Sequence, residues 1–336
     1  MINAAIVGLG RWGQSFVRSV QGKSETFRFV AAHTRSPDKV RGFCAEHGLP
    51  LADSYEAILR DPTVQVVVLA TPHSQHEEQV RLAAAAGKHI HVEKPIALTR
   101  ASAEVQVAAA RKAGVVLAVG FNRRFHPSIV ELRTRVKDGR LGKLVMIVSQ
   151  QTSGTGPFLP PGEWRLDPEE SPAGALTAVG VHGLDHMIEL AGPVREVYCV
   201  TGRRGIDHAD DTTTVHLTFE SGVTSLMAHS LSTAPNFSFT MYGSKGLVEI
   251  SHNTLKDFRF VPAPDAAPTG PVTAPPAEVR EHVGVDMLRA QLEALAQSIT
   301  TGAPYPVAIE EVLHGMSVFD AIVASAKSGK VVAVGH

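Results

Sequence analysis

The chain has 336 residues, with 32 Lys and Arg against 33 Asp and Glu for a net charge of −1, and its apolar fraction is 44%. At roughly 100–200 residues per domain, that length suggests two domains, each able to bury a core. The charge balance argues against wholesale capture of nucleic acid or of an anionic membrane surface. The longest apolar run, over 113–121, falls far short of the ~20 residues a membrane span needs. Cys44 and Cys199 are the two cysteines; they are far apart, so a disulfide framework is excluded and the cytoplasm is the expected compartment. Met1-Ile2-Asn3-Ala4-Ala5-Ile6-Val7 reads as a strand and not as a basic leader.

Short apolar runs then alternate with longer helical segments. A strand over 2–7 leads through Gly8-Leu9-Gly10-Arg11-Trp12-Gly13 into a helix ending near 20, and 27–32 is the next strand. Ser36-Pro37 supplies an N-cap and a proline at the first helical position, with Gly48 closing that helix. Asp53 and Glu56 stand at capping-box spacing for another helix, as do Ser74 and Glu77 for one ending near Gly87. The run 64–70 is almost continuously apolar, as expected of a strand buried on both faces of a parallel sheet. Strands over 88–92 and 115–119 flank a helix over 99–112, which stops at Gly114. This alternation predicts an α/β domain with a doubly wound parallel sheet.

From 123 onward the pattern changes. Helices fit over 127–137 and 174–190. Val215, Leu217 and Phe219 alternate with Thr214, His216 and Thr218, and Phe237, Phe239 and Met241 with Ser238, Thr240 and Tyr242. Turn residues separate them at Glu220-Ser221-Gly222 and Ser244-Lys245-Gly246. An α+β domain with an antiparallel sheet is predicted, its apolar face on helices and its polar face outward, either solvated or at a subunit interface. Residues 261–280 read as a proline-rich loop without chemistry, and 285–327 as mostly amphipathic helix. The predicted domains are 1–122 and 123–336.

The run Gly8-x-Gly10-x-x-Gly13 follows a strand and opens a helix, the context of a dinucleotide-binding fingerprint in a Rossmann domain. Gly8 permits the tight turn, Gly10 lets backbone reach a pyrophosphate, and Gly13 allows close helix–strand packing. Free N–H groups where Arg11 and Trp12 begin the helix supply its positive end. About 20 residues beyond the last glycine, NAD sites place an acid for the ribose hydroxyls. Here Ala32-His33-Thr34-Arg35-Ser36 carries none. Thr34 and Ser36 suit hydrogen bonds to a 2′-phosphate, and Arg35 suits an ion pair with it while stacking on adenine. The expected cofactor is NADP(H), with NAD(H) as the alternative.

Ala70-Thr71-Pro72-His73-x-x-His76, Gly87-Lys88-His89-Ile90-His91-Val92-Glu93-Lys94-Pro95 and Gly120-Phe121-Asn122-Arg123-Arg124-Phe125-His126-Pro127 resemble the Gfo/Idh/MocA oxidoreductase family. Trp164-Arg165 and the stretch from Gly174-Ala175-Leu176 to His182-Gly183-Leu184-Asp185 extend the likeness over nearly the whole chain. The resemblance implies a Rossmann domain followed by a domain with a large, mostly antiparallel sheet. It implies NAD(P)-linked hydride transfer on sugars, cyclitols or similar polyols, in a homodimer or homotetramer joined through that sheet. It places Thr71, Pro72, His76, Glu93, Lys94 and Asn122 around the cofactor, and Lys94, Trp164, Arg165 and His182 around the substrate. The chemistry of Lys94 agrees on its own terms. A Lys at the carboxyl end of a parallel strand points into the crevice where such sheets bind ligands. Desolvation beside a cationic nicotinamide lowers an ammonium pKa and suits it to bond the reacting hydroxyl. His182, near a helix start, is expected to take the alcohol proton.

One departure stands out. The family pattern has an Asp four residues before this His, and this chain has Ala178. Either Lys94 and His182 suffice, or another acid such as Asp185, a helical neighbour of His182, substitutes as a catalytic residue. The remaining alternative is weak or lost hydride transfer in a dinucleotide-binding regulator, although no DNA-binding helix-turn-helix or basic tail accompanies it. His182 and His186, with Asp185 and Glu189, have spacings a zinc site uses, but without H-E-x-x-H or a third ligand set no metal is expected. Arg123 and Arg124 read as structural residues at the domain junction.

Overall fold

The structure, a computed structural model, describes residues 1–264 and 275–335. It divides into two units, Met1–Asn122 with Asp286–Leu313, and Arg123–Val285 with His314–His336. In the first unit, β1 (Ile2–Val7), β2 (Phe27–His33), β3 (Val66–Leu69), β4 (His89–Val92) and β5 (Leu117–Val119) form a parallel sheet in the order β2-β1-β3-β4-β5. Its helices are α1 (Arg11–Val20), α2 (Arg41–Glu46), α3 (Tyr55–Arg60), α4 (His76–Ala85) and α5 (Arg100–Ala113). Every residue of β3 is buried, as its unbroken Val-Val-Val-Leu run requires of a central strand. The chain winds one way from β1 to β2 and the other way through β3, so the carboxyl ends of β1 and β3 form the switch point at which doubly wound sheets bind ligands.

The helix starts differ in detail from those expected. Ser36 makes no side-chain cap, and a 3₁₀ turn over Pro37–Lys39 precedes α2. Ser54, not Asp53, caps α3 by accepting from the Ala57 N–H. Ser74 lies inside a second 3₁₀ turn, His73–Gln75, and α4, which follows it, has no side-chain cap. Thr99 and Gly114 do bound α5, the threonine accepting from the Ser102 N–H and the glycine in the left-handed region at φ 65°.

The second unit holds α6 (Pro127–Lys137), α7 (Val181–Ala191) and a nine-stranded sheet. Its strands are β6 (Leu144–Thr152), β7 (Val194–Gly202), β8 (Thr212–Phe219), β9 (Thr224–Ser230), β10 (Asn236–Gly243), β11 (Gly246–Ser251), β12 (Asp257–Pro262), β13 (Glu278–Glu281) and β14 (Val332–Ala333). The order is β13-β12-β11-β10-β6-β9-β8-β7-β14; β6 and β9 run parallel and the other neighbours antiparallel. Val215, Leu217 and Phe219 point inward and Thr214 and His216 outward, as the alternation requires. On the outer face Tyr198 opposes His216, His216 opposes Leu226 and Leu226 opposes Val148 across four strands.

Two expectations for this unit change. The helix over 174–190 is broken: a π-helical turn, Leu176–Gly180, precedes α7, and both lie on β6. The proline-rich stretch is flanked by structure, because Phe258 and Phe260 bury their rings and carry β12 as far as Pro262. β13 then pairs on its edge, and 265–274 lie outside the described residues. The third difference concerns α8 (Met287–Thr301), which packs with α1, β2 and β4 in the first unit, whereas the sequence reading placed it in the second. Its buried face is Leu288, Gln291, Leu292 and Leu295. Periodicity shows that a helix has such a face but not which body covers it. A second C-terminal helix, α9 (Ile309–Ser328), follows.

Candidate functional site

In the first unit the glycine-rich turn is built by close approach. Gly8 stands at φ 94°, and a Cβ there would lie 2.6 Å from the Ala70 carbonyl oxygen. A Cβ at Gly13 would collide with the Gly8 carbonyl, which fixes the spacing of α1 over β1. Gly10 meets nothing within 4 Å, and among the described residues no side chain caps α1. An open backbone face before an uncapped helix start is the form a pyrophosphate cradle takes. The Gly8 N–H donates to the His33 carbonyl at 2.9 Å, so the end of β2 adjoins this turn. Thr34, Arg35 and Ser36 follow, Arg35 and Ser36 exposed. The first acid after β2 is Asp38, and its carboxylate accepts from Arg41 at 2.8 Å.

Beyond β4, Glu93, Lys94 and Pro95 form a turn with a cis Lys94–Pro95 bond. Glu93 is buried against Gly120, where a Cβ would lie 2.6 Å from its Oε1. Burial pushes the Glu93 carboxyl up to about 7, against the opposing pull of the Lys94 charge and a hydrogen bond from Trp12. Lys94 itself is half-buried. His76 is fully buried, its ring nitrogens 3.2 Å from the Thr71 carbonyl on one side and from those of Pro95 and Ile96 on the other. It ties the turn after β3 to the turn after β4. Thr71 is steadied by Gln79, to which its hydroxyl donates at 2.6 Å, and Asn122 is buried beyond β5.

In the second unit, His182 is the second residue of α7 and is buried. Both oxygens of Asp185 accept from Arg124, at 2.8 and 2.6 Å. Glu189 accepts from Arg133 at 2.5 Å and lies 3.5 Å from Arg124. With these acids engaged by guanidinium groups, no cluster of three or more His, Cys, Asp or Glu is placed to hold a metal ion among the described residues. His229, on β9, packs its ring directly against Gly180. Burial holds His229 down at about 4 and His186 well below the usual imidazole range. Arg123 is buried, donates from Nη1 to the Gln151 amide oxygen at 2.9 Å and lies 4.8 Å from the Phe237 ring centroid. Trp164 and Arg165 share a 3₁₀ turn: the guanidinium stacks 4.3 Å from the Trp164 ring and pairs with Glu163 at 2.9 Å. Arg165 also lines a cavity of about 140 Å³ with Ser171, Arg203, Asp210 and Leu231.

Comparison with known proteins decides what this set belongs to. Residues 2–121 match the model of an oxidoreductase family with an NAD-binding Rossmann fold, and residues 129–249 match the GFO/IDH/MocA C-terminal domain. The chain belongs to the Gfo/Idh/MocA oxidoreductase family. Trans-1,2-dihydrobenzene-1,2-diol dehydrogenase of Homo sapiens is similar at 30% identity over 249 residues, 73% of this chain and 73% of that protein. The Bos taurus enzyme of that name is 29% identical over 223 residues, 66% of this chain and 65% of its own length. The solved structure of aldose-aldose oxidoreductase from Caulobacter crescentus, complexed with glycerol, has a TM-score of 0.86 at 28% identity and covers 99% of both chains.

As a Gfo/Idh/MocA oxidoreductase, the chain departs from its family pattern at a site whose surroundings are now plain. Ala178 packs on an apolar cluster of Leu166, Ala175, Ile206, Ala209 and Leu231. Asp185, expected to replace the missing acid, accepts from Arg124 with both its oxygens. Sequence reasoning missed the Trp12–Glu93 bond, the Arg123–Gln151 bond and the seat of His229 under Gly180. Only the last had a visible signal, the glycine two residues before His182.

Proposed function

We propose that this Gfo/Idh/MocA enzyme is an NADP(H)-preferring oxidoreductase that moves hydride between the nicotinamide and a secondary alcohol or carbonyl of a sugar, cyclitol or related polyol. The observation that carries the reading is the Glu93-Lys94-Pro95 turn, which puts a half-buried ammonium at the carboxyl end of β4 in the unit that bears the glycine turn. Relatives named for a diol and for aldoses support hydroxyl-bearing substrates. When bound, the cofactor accepts the hydride from the substrate carbon or returns it.

The chain's residues do the rest. Gly8, Gly10 and Gly13 with the N–H groups of Arg11 and Trp12 take the pyrophosphate, and Thr34, Arg35 and Ser36 take the 2′-phosphate. Thr71, Pro72, His76, Glu93 and Asn122 shape the nicotinamide end. Lys94 bonds the reacting oxygen, and His182 accepts the hydroxyl proton as the C–H bond breaks. Asp185 acts through Arg124 as a positioning group. Trp164 and Arg165 contact the substrate. We place the enzyme in the cytoplasm, its buried cysteines free thiols, and among the described residues no helix is long and apolar enough to cross a membrane. The outer sheet face, where Tyr198, Val200 and Leu226 are exposed, joins it into a homodimer or homotetramer.

The test follows absorbance at 340 nm with each nicotinamide cofactor against sugars, inositols, sugar acids and ketoses, in wild type and Lys94→Ala. Turnover that disappears in the variant supports the assignment, and kcat/KM within a few-fold of wild type overturns the role of Lys94. NADH binding tighter than NADPH overturns the cofactor preference. The apolar seat of Ala178 favours one second reading, a dinucleotide-binding regulator. Tight NADPH binding without turnover on any of these substrates, together with a stable protein partner, would select it.

A further inference from the structure

We propose, building on the oxidoreductase reading above, that Arg123 recognises an acid group on the substrate, so that the enzyme prefers a sugar bearing a carboxylate or phosphate to its neutral counterpart. Charge accounting inside the second unit leads to it. Arg123, Arg124 and Arg133 all act on the buried ring of His186, so three guanidinium groups share this interior. Asp185 takes Arg124, and Glu189 is shared by Arg133 and Arg124. Arg123 makes no ion pair among the described residues, although its exposure is only 9%.

Among the described residues, the direct contacts of Arg123 are neutral. Its hydrogen-bond acceptor is the Gln151 amide, and its flat side lies over Phe237. The imidazoles of His126, His186 and His229 are held below their usual range, burial first and the Arg123 charge among the further causes. They offer this charge no compensation. A buried charge without a counter-charge is costly and is normally paired. The remaining N–H groups of Arg123 are not sealed from solvent. A planar fork with open donors matches a carboxylate or phosphate in two parallel bonds, whereas a hydroxyl offers one acceptor and no charge. The cavity beside Arg165 is less suited, because Arg165 and Arg203 already face Glu163 and Asp210.

The test compares hexoses with their C6 variants in the gluco, galacto and manno series: D-glucose, D-glucuronate and D-glucose 6-phosphate, and the corresponding sets. For each, kcat/KM is measured with the preferred cofactor, and binding to the NADPH-loaded enzyme is measured by calorimetry. Wild type is expected to favour an acid over its neutral partner by roughly 10- to 100-fold, the range for a hydrogen-bonded charge. Arg123→Met should bring that ratio close to one, and Arg123→Lys, which keeps the charge and loses the fork, should fall between. Which acid gains most distinguishes carboxylate from phosphate. A wild-type ratio near one, or a ratio that survives Arg123→Met, overturns the proposal. If no sugar is turned over, binding still decides. Acid-selective binding lost in Arg123→Met keeps the anion site and rejects hydride transfer, and no acid-selective binding overturns the site itself.

Discussion

The ring of His229 occupies the place where a side chain at position 180 would have to stand. A Cβ on Gly180 would lie 2.6 Å from the ring's Cδ2 and Nε2. Gly180 ends the π-helical turn, so this contact sets how closely the turn, and His182 two residues on, approaches β9. Insertions of an extra turn of this kind inside helices are frequently found at functional sites.

Gly180→Ala should therefore cost about 1–3 kcal/mol of stability, the range for overpacking a tight interior. It should also lower kcat by roughly 10-fold or more, because misplacing a proton acceptor by a fraction of an ångström is expensive. Denaturant unfolding and steady-state kinetics read the two effects. Adding His229→Ala should restore part of both; strictly additive losses would show that the two positions do not press on one another.

The Arg124–Asp185 pair is sealed, with side-chain exposures of 2% and 4%. Asp185→Asn leaves a buried guanidinium short of charge and should destabilise the fold by about 3 kcal/mol, the low end for a broken buried pair because Glu189 stays close. The double variant Arg124→Met, Asp185→Leu should lose less than the sum of its single variants. Urea titrations of all three test this.

Arg35→Ala should weaken NADPH binding by roughly 10- to 100-fold, the worth of hydrogen bonds to a charged group, and leave NADH binding within a few-fold. Fluorescence titration with both cofactors measures it. Equal losses for the two would remove Arg35 from the 2′-phosphate.

Stability should respond to pH in two opposing ways. His91, His126 and His229 are each held at about 4, burial being the first cause. Unfolded, they titrate near 6.5. Below that value the unfolded chain binds protons the folded chain refuses, so stability is lost as pH falls from about 6.5 to 4. Glu93 runs the other way: its carboxyl is raised to about 7 in the fold. Its contribution is full below an unfolded value near 4.3 and is lost as pH rises to 7. Glu93→Gln should thus stabilise the protein at pH 8 by at most about 4 kcal/mol and by almost nothing at pH 4. Thermal unfolding of both proteins from pH 4 to 8 should show the gap opening across that window.

Leu226 is 51% exposed in the middle of the outer sheet face. If that face joins subunits, Leu226→Arg should reduce the mass found by light scattering towards that of a single chain, without lowering the unfolding temperature of the isolated subunit. An unchanged mass would move the interface elsewhere.

The residues most legible in the sequence were those whose role is local. Gly8 and Gly13 announce their turn because close approach leaves room for no other residue, and β3 announces its two-sided burial through its run of valines. Adjacent cap candidates were harder: Asp53 and Ser54 both offer oxygens, and only the backbone's course chose Ser54. Charge pairing was not legible at all. Arg123 and Arg124 are neighbours in a motif, yet one is matched by an acid sixty-one residues away and the other by none among the described residues. Such distinctions arise from tertiary placement, as does the seat of α8.

That seat governs when the nucleotide-binding unit can mature. The unit needs Asp286–Leu313, made after most of the second unit. Until α8 arrives, its Glu293 cannot accept from the hydroxyl of Ser24, and its packing against β2 and β4 is missing. Chains usually complete their domains in the order of synthesis. Here the unit begun first must wait with part of its sheet uncovered, and a ribosome stalled before residue 286 would hold a dinucleotide-binding half that is still unfinished.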